Sequence, residues 1–209
     1  MTGELVIKVC GLTDGENIRA VERLGVDYTG FIFYAPSPRC ARTLPSYLPE
    51  QHCRVGVFVD AAYQEIKHRC QEWGLGTVQL HGTEPPELCR RLKASGLKVF
   101  KAFDIGPEEA RLTQRTSPYA SVCDFFLFDT HTKGYGGSGR SFDWSILDQY
   151  QGPVPFLLSG GIGPHSVPEI RRIRHPFFAG IDLNSRFESA PGMKDISLLR
   201  TFLAELRKH

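Results

Sequence analysis

Short apolar runs rich in β-branched and aromatic residues recur along the whole chain, with more polar stretches between them. The runs begin roughly 20 to 30 residues apart, which is the length of a strand, a helix and their two loops. The central runs are almost continuously apolar, as is typical of strands that are covered on both faces. The eight strands that this pattern predicts are Leu5–Cys10, Tyr28–Tyr34, Arg54–Asp60, Thr77–Gly82, Lys98–Asp104, Phe125–Asp129, Pro155–Ser159 and Phe178–Asn184.

The stretches between the strands show helical spacing, most clearly in Pro86–Ser95 and Ile196–Leu206. In the second of these, the leucine and phenylalanine residues form one apolar stripe at helical periodicity. Alternation of strands and helices over the full length predicts an α/β protein, a single (β/α)8 TIM barrel. Periodicity alone leaves an open, doubly wound sheet as the alternative. Because no linker-like stretch divides the chain, we expect residues 1–209 to form one domain.

Composition narrows the class of protein. The chain has 209 residues, 41% of them hydrophobic, and a formal net charge of +2. This near-neutral balance, without blocks of like charge, gives no reason to expect nucleic acid or a membrane surface as partner. The start of the sequence lacks a secretory signal pattern and no apolar run reaches the ~20 residues of a membrane span, so we expect a cytoplasmic protein. The six cysteines form neither a CxxC pair nor a metal-ligand spacing, and we expect no disulfide framework.

Cys10 stands at the end of the first predicted strand, where catalytic groups of a barrel lie. Strand alternation puts Lys8 and Cys10 on one face, directed into the barrel if the intervening apolar residues pack against the helices. The Lys8 cation and a helix beginning at Thr13 or Asp14 would both favour a thiolate, and a lowered pKa would make Cys10 a general base near neutral pH. A buried cysteine with no chemical role fits the position equally well.

Asp129 ends the strongly apolar run Phe125–Phe128. A carboxyl group walled by apolar side chains has a raised pKa and can serve as a general acid. An aspartate that merely opens the following turn is the alternative.

The loop Ser159–Gly163 follows the seventh predicted strand and contains three glycines. Such a loop presents unobstructed backbone N–H groups to an anion, and phosphate sites after strands seven and eight recur in this fold. A tight turn without a ligand is the alternative, but the location favours phosphate.

Two further features suggest the wrong chemistry at first sight. Gly134–Gly139 satisfies the GxGxxG pattern, but it does not open a helix directly after a strand, so we interpret it as a hinged active-site loop rather than a dinucleotide site. His81 lacks a partner at metal-ligand spacing, and we expect it to be a hydrogen-bonded rim residue that touches substrate.

With these residues noted, the chain resembles the phosphoribosylanthranilate isomerase family from end to end. Each matching segment could arise by chance, but all of them occur in family order and spacing. The segments are Ile7–Thr13, Gly30–Tyr34, Ser37–Arg39, Val55–Val59, Val78–Gly82, Phe128–Thr130, Gly136–Gly139, Phe142–Trp144, Leu158–Ile162, Ile181–Asp182, Glu188 and Pro191–Asp195.

The resemblance implies an Amadori rearrangement of N-(5-phosphoribosyl)anthranilate to the corresponding 1-deoxyribulose 5-phosphate, a step of L-tryptophan biosynthesis. The family's general acid matches Asp129 and its general base matches Cys10. The arginine that holds the anthranilate carboxylate matches Arg39, and a guanidinium suits that planar anion. The resemblance implies no cofactor, no metal and a small-molecule substrate, in a monomer or a homodimer. The other expected substrate-binding residues are His81, Gly160, Gly161, Ile162, Asp182, Asn184 and Ser185.

The sequence departs from the family pattern at two places. Asn184-Ser185-Arg186 stands where Ser-Ser-Gly is usual, which leaves the backbone of that phosphate loop and the direction of the Arg186 side chain open. Asp60 replaces an asparagine at the end of the third strand.

Two other functions compete with this one. A sister sugar-phosphate isomerase of the histidine pathway runs a similar rearrangement, but it uses an aspartate where Cys10 stands. A non-catalytic phosphate-binding barrel would need neither Cys10 nor Asp129.

Overall fold

Eight parallel strands close into a barrel in which each strand pairs with its neighbours in chain order and β8 pairs with β1. A computed structural model describes residues 5–50, 53–106, 111–129 and 144–208. The closed order confirms the predicted barrel and excludes the open sheet. The strands are β1 (Val6–Cys10), β2 (Tyr28–Ile32), β3 (Arg54–Phe58), β4 (Thr77–Leu80), β5 (Lys98–Asp104), β6 (Phe125–Asp129), β7 (Phe156–Ser159) and β8 (Phe178–Leu183).

Helices follow most of the strands, and both helices predicted in detail are present. The six α-helices of the described residues are α1 (Gly15–Glu22), α2 (Tyr63–Trp73), α3 (Pro86–Ala94), α4 (Leu112–Thr116), α5 (Val167–Ile170) and α6 (Ile196–Leu206). The repeat is irregular after β2, where residues 33–50 contain no α-helix. Beyond β8, a 3-10 turn (Ser185–Phe187) leads into a small antiparallel pair, β9 (Glu188–Ala190) and β10 (Met193–Lys194).

Alternation along the strands divides the apolar residues between two cores. The larger core lies between strands and helices and includes Val9 of β1 and Leu199 of α6, both fully buried. The smaller core fills the barrel with Phe100, Leu127 and Leu157, among others. Burying such a side chain stabilises the fold by about 1.5–3 kcal/mol. Because both faces of each strand are covered, the strands appear in sequence as continuous apolar runs.

Side-chain caps set the beginnings of the first and last helices. The Asp14 carboxylate accepts the Asn17 N–H at 2.8 Å, and the Asp195 carboxylate accepts the Leu198 N–H at 2.9 Å. Such a cap contributes about 1 kcal/mol. Of the two capping residues that the sequence allowed for α1, the structure therefore selects Asp14 over Thr13.

Two other predictions concern the glycine-rich segment and the absence of a membrane span. The glycine-rich segment Gly134–Gly139 lies outside the described residues. Within the described parts of the chain, no helix has the length and apolar character needed to cross a membrane.

Candidate active site

The Cys10 side chain faces the barrel interior at the carboxyl end of β1, as strand alternation predicted. Its β2 neighbour is Gly30, with which it is in register. A Cβ atom on Gly30 would lie 2.7 Å from the Cys10 sulfur, a distance at which two atoms collide. The glycine therefore makes room for the thiol. A glycine inside an inward-facing strand position is a known signal of such close approach, and it was available in the sequence.

One layer below the thiol, Lys8 forms an ion pair with Asp182 of β8. The Lys8 Nζ lies 2.8 Å from the Asp182 carboxylate, and the two side chains are 0% and 5% exposed. The Ser159 hydroxyl of β7 donates to the other Asp182 oxygen at 3.4 Å. The predicted substrate-binding residue Asp182 is therefore one member of this buried pair. Buried ion pairs of this kind persist because each charge neutralises the other.

Burial raises the pKa of the Cys10 thiol above its ordinary value. The cations of Lys8 and Lys194 oppose this shift, whereas the negative charge of Asp182 adds to it. The expectation of a lowered pKa was therefore wrong. It counted the Lys8 cation but not the loss of solvent around the thiol, nor the carboxylate that neutralises Lys8.

Asp129 ends β6 on the inward face, and its carboxylate lies 3.4 Å from Nε2 of His81. The amide nitrogen of the buried Gln79 lies 3.2 Å from Nδ1 of the same ring. Gln79 thus holds the imidazole at Nδ1, and Nε2 is directed at Asp129. His81 is thus a hydrogen-bonded rim residue, as expected, and the general-acid candidate is its neighbour.

His81, Asp104 and Asp129 bring their donor atoms within 4.8 Å of one another. Sequence spacing showed no metal partner for His81, because His81 follows β4 whereas Asp104 and Asp129 end β5 and β6. In the described part of the chain this trio is the candidate for holding a cation. The Asp104 side chain is 80% exposed, so the trio also connects Asp129 with solvent, a suitable arrangement for proton exchange.

Arg39 lies over the loop that follows Cys10. Its Cδ would be 2.8 Å from a Cβ atom on Gly11. The Nε and Nη2 edge of its guanidinium binds the Glu188 carboxylate at 2.7–2.9 Å. This two-point contact fixes the plane of the guanidinium. The predicted carboxylate-binding arginine therefore lies beside Cys10 in a defined orientation.

Lys194 and Glu188 extend this cluster, and residue-level reasoning assigned neither of them a role. The Lys194 ammonium donates to Asn184 Oδ1 at 2.9 Å and to Glu188 at 2.6 Å. Burial lowers the pKa of Lys194, and the negative charges of Glu188 and Cys10 oppose that shift. Burial alone would raise the pKa of Glu188, but Arg39 and Lys194 hold it below its ordinary value. Both residues lie in the hairpin beyond β8, where the strand pattern offers no signal.

The loop after β7 has the backbone that an anion site requires. Gly160 and Gly161 have φ angles of 77° and 66°, which favour glycine. A Cβ on Gly161 would meet no atom of the described residues within 4 Å, so these residues leave space open above the loop. Ile162 is buried and anchors the loop in the core. Across the rim, Asn184 is half-buried and Ser185 is exposed at the end of β8.

The backbone conformation and hydrogen bonds of Asp60 account for the second departure from the family pattern. Its φ is 51°, a left-handed conformation that aspartate and asparagine tolerate better than most residues. Its carboxylate accepts hydrogen bonds from the Thr83 N–H at 2.7 Å and hydroxyl at 2.9 Å. These bonds lower the pKa of Asp60. Asp60 thus joins the loops after β3 and β4.

The fold and its rim define a (β/α)8-barrel enzyme with acid–base groups at the carboxyl ends of its strands. The family model for N-(5'phosphoribosyl)anthranilate (PRA) isomerase matches residues 7–205. The chain therefore belongs to the N-(5′-phosphoribosyl)anthranilate isomerase family, which confirms both the resemblance and the expectation of an isomerase.

Relatives and solved structures agree with this assignment. An N-(5′-phosphoribosyl)anthranilate isomerase from Phocaeicola vulgatus is 50% identical over 204 residues, which cover 98% of both chains. The enzyme from Myxococcus xanthus is 40% identical over 206 residues, or 94% of this chain and 93% of that one. The crystal structure of the Thermotoga maritima enzyme superposes with a TM-score of 0.78 at 33% identity, covering 98% of this chain and 99% of that one.

A further crystal structure superposes with a TM-score of 0.75 at 30% identity, covering 98% of this chain and 99% of that one. It shows phosphoribosyl anthranilate isomerase in complex with reduced 1-(o-carboxyphenylamino)-1-deoxyribulose 5-phosphate.

Proposed function

We propose that Cys10 and Asp129 carry out the Amadori rearrangement of N-(5′-phosphoribosyl)anthranilate to 1-(2-carboxyphenylamino)-1-deoxyribulose 5-phosphate, a step of L-tryptophan biosynthesis. The observation that supports this division of roles is their placement. Both side chains face inward at the carboxyl ends of their strands, one beside two lysines and the other beside a histidine.

The reaction requires one proton donor and one proton acceptor. Asp129 donates its proton to the furanose oxygen, the C1′–O bond breaks, and the nitrogen lone pair forms a C1′=N bond. The Cys10 thiolate then removes the C2′ proton, the released electron pair forms a C1′=C2′ bond, and the C1′=N π electrons return to the nitrogen as a lone pair. The enolamine tautomerises when C1′ gains a proton and the C2′ hydroxyl loses one. Acid–base catalysis of this kind contributes typically 10²–10⁴-fold per group.

After one turnover, Asp129 lacks a proton and Cys10 carries one. Nε2 of His81 lies 3.4 Å from the Asp129 carboxylate and 4.0 Å from the carboxylate of the exposed Asp104. The contact with Asp129 supports a role for His81 in orienting that carboxyl group, beside the substrate contact expected from the sequence. The exposed Asp104 nearby supports return of the Asp129 proton from solvent.

The charged residues around the thiol support the same mechanism. We infer that Asp182 acts through Lys8, which it holds below Cys10, because both Asp182 oxygens face groups inside the barrel. Lys8 and Lys194 then stabilise the thiolate that burial disfavours. Arg39, fixed by Glu188, would bind the anthranilate carboxylate through the part of its guanidinium that Glu188 does not use.

The phosphate would be held between the loops after β7 and β8, by Gly160, Gly161 and Ile162 on one side and Asn184 and Ser185 on the other. The open space above Gly161 supports this position. The family's place in a biosynthetic pathway supports a cytoplasmic location, which stays a prediction. The monomeric or homodimeric state also stays a prediction, although the Thermotoga maritima relative is described as dimeric.

The two competing functions make different demands on the site. The sister isomerase would have an aspartate at position 10, and a binding-only barrel would lose nothing when Cys10 is removed. The test is a fluorescence assay with freshly generated N-(5′-phosphoribosyl)anthranilate, comparing the wild type with Cys10→Ala and Asp129→Asn. We expect the wild type to cause rapid loss of anthranilate-type emission. The rate of this loss should be at least 10²-fold lower in each variant. Unchanged rates in both folded variants would overturn the mechanism.

A further inference from the structure

Arg186 occupies the position at which the family pattern has glycine, in the 3-10 turn Ser185–Phe187 that follows β8. Its backbone does not require glycine: within the described residues, Asp60 is the non-glycine residue with a positive φ. The turn therefore accommodates a long side chain at this position without backbone strain. This answers the question of loop geometry that the sequence left open.

The Arg186 side chain crosses from the loop after β8 to the loop after β7. Its Cδ lies 3.1 Å and its Nη1 3.9 Å from the position of a Cβ atom on Gly163. Gly163 is buried although it has no side chain of its own, whereas Arg186 itself is exposed. The aliphatic part of Arg186 thus covers Gly163, and its guanidinium lies at the rim between the two loops.

No protein group described by the structure neutralises or binds this guanidinium: over the described ranges, its side chain has neither a hydrogen bond nor an ion pair. The nearby backbone donor of Gly163 is already used, because its N–H donates to the Ser166 hydroxyl at 3.0 Å. The loop therefore has one N–H fewer to offer an anion, and the Arg186 guanidinium, unpaired among the described residues, lies next to it.

We propose that Arg186 binds the phosphate group of the substrate directly, adding a charged side-chain contact to the backbone donors of the two loops. A guanidinium presents five N–H donors in a plane and pairs with phosphate oxygens at two points. The inference rests on the proposed function only for the position of the phosphate. Arg186 is then an affinity determinant that sequences with glycine at this position lack, and it discriminates against substrate analogues without phosphate.

The contact is solvent-exposed, so its effect is moderate. Exposed charge-assisted contacts correspond to about a three- to tenfold change in affinity. Because the phosphate is remote from the reacting carbons, Arg186 stabilises the bound substrate and the transition state equally. The effect should therefore appear in KM and leave kcat nearly unchanged.

The experiment compares Arg186→Ala, Arg186→Gly and Arg186→Lys with Arg200→Ala, a matched loss of one exposed arginine on α6. The dissociation constant of inorganic phosphate is measured by calorimetry, and kcat and KM are measured with N-(5′-phosphoribosyl)anthranilate. In Arg186→Ala and Arg186→Gly we expect the phosphate dissociation constant and KM to rise about three- to tenfold, with kcat within twofold of wild type. Arg186→Lys should recover part of the lost affinity. Phosphate binding equal to that of Arg200→Ala would overturn the inference.

The two readouts separate this inference from the proposed function. If phosphate binds to the wild type and binds more weakly to Arg186→Ala, the inference is supported even if the protein does not turn over the substrate. Turnover with unchanged phosphate affinity and KM in Arg186→Ala overturns the inference and leaves the proposed function standing.

Discussion

Replacing Lys8 with methionine tests whether the buried ion pair supports both the barrel and the thiol. Methionine fills a similar volume but leaves the Asp182 carboxylate in a site where it is 5% exposed. The remaining contact, from the Ser159 hydroxyl at 3.4 Å, is longer than an ordinary O–H···O hydrogen bond. Leaving a buried charge unpaired costs about 3–5 kcal/mol, a large part of the 5–15 kcal/mol by which proteins of this kind are stable.

Urea unfolding at pH 7 measures this loss directly. The double variant Lys8→Met/Asp182→Asn is the control, because it removes both charges and should recover at least half of the loss. The single variant should also lower kcat/KM, since Lys8 is a cation that favours the Cys10 thiolate. A loss below about 1 kcal/mol in Lys8→Met, or a double variant no more stable than the single one, would refute the reasoning.

Three other predictions follow from the same site. Because burial raises the pKa of the Cys10 thiol, inactivation of the enzyme by iodoacetamide should become faster with rising pH through the alkaline range; a rate that levels off by pH 7 would contradict this. Gly30→Ala should lower kcat at least about tenfold in a folded protein, because its Cβ displaces a thiol only 2.7 Å away; circular dichroism and steady-state kinetics check both parts. Glu188→Gln should raise KM about five- to tenfold with a smaller change in kcat, because Arg39 loses the carboxylate that orients it; an unchanged KM would argue against that role.

The fold and the inward positions of Cys10 and Asp129 could be predicted because they depend on local patterns. Apolar runs at regular intervals define the strands, and strand alternation places Cys10 on the inward face. Asp129 follows from its position at a strand end. The helix-free stretch after β2 was not predicted, since apolar spacing locates strands better than it describes the connections between them.

The rest of the site depends on contacts between distant parts of the chain. The pKa shift of Cys10 was misjudged because its direction depends on burial and on Asp182, which is 172 residues away in sequence. Lys194 acts on the thiol from a hairpin outside the barrel repeat, and Glu188 of the same hairpin binds the Lys194 ammonium. Only the closed barrel brings His81 to Asp129.

The division of roles proposed for Cys10 and Asp129 is tested most directly with substrate deuterated at C2′. In Cys10→Ser, proton removal from C2′ should limit the rate, so the kinetic isotope effect on kcat should rise above that of wild type. In Asp129→Asn, ring opening should limit the rate and the isotope effect should fall toward one. An isotope effect that changes in the same direction in both variants, or in neither, would contradict the assignment of Cys10 as base and Asp129 as acid.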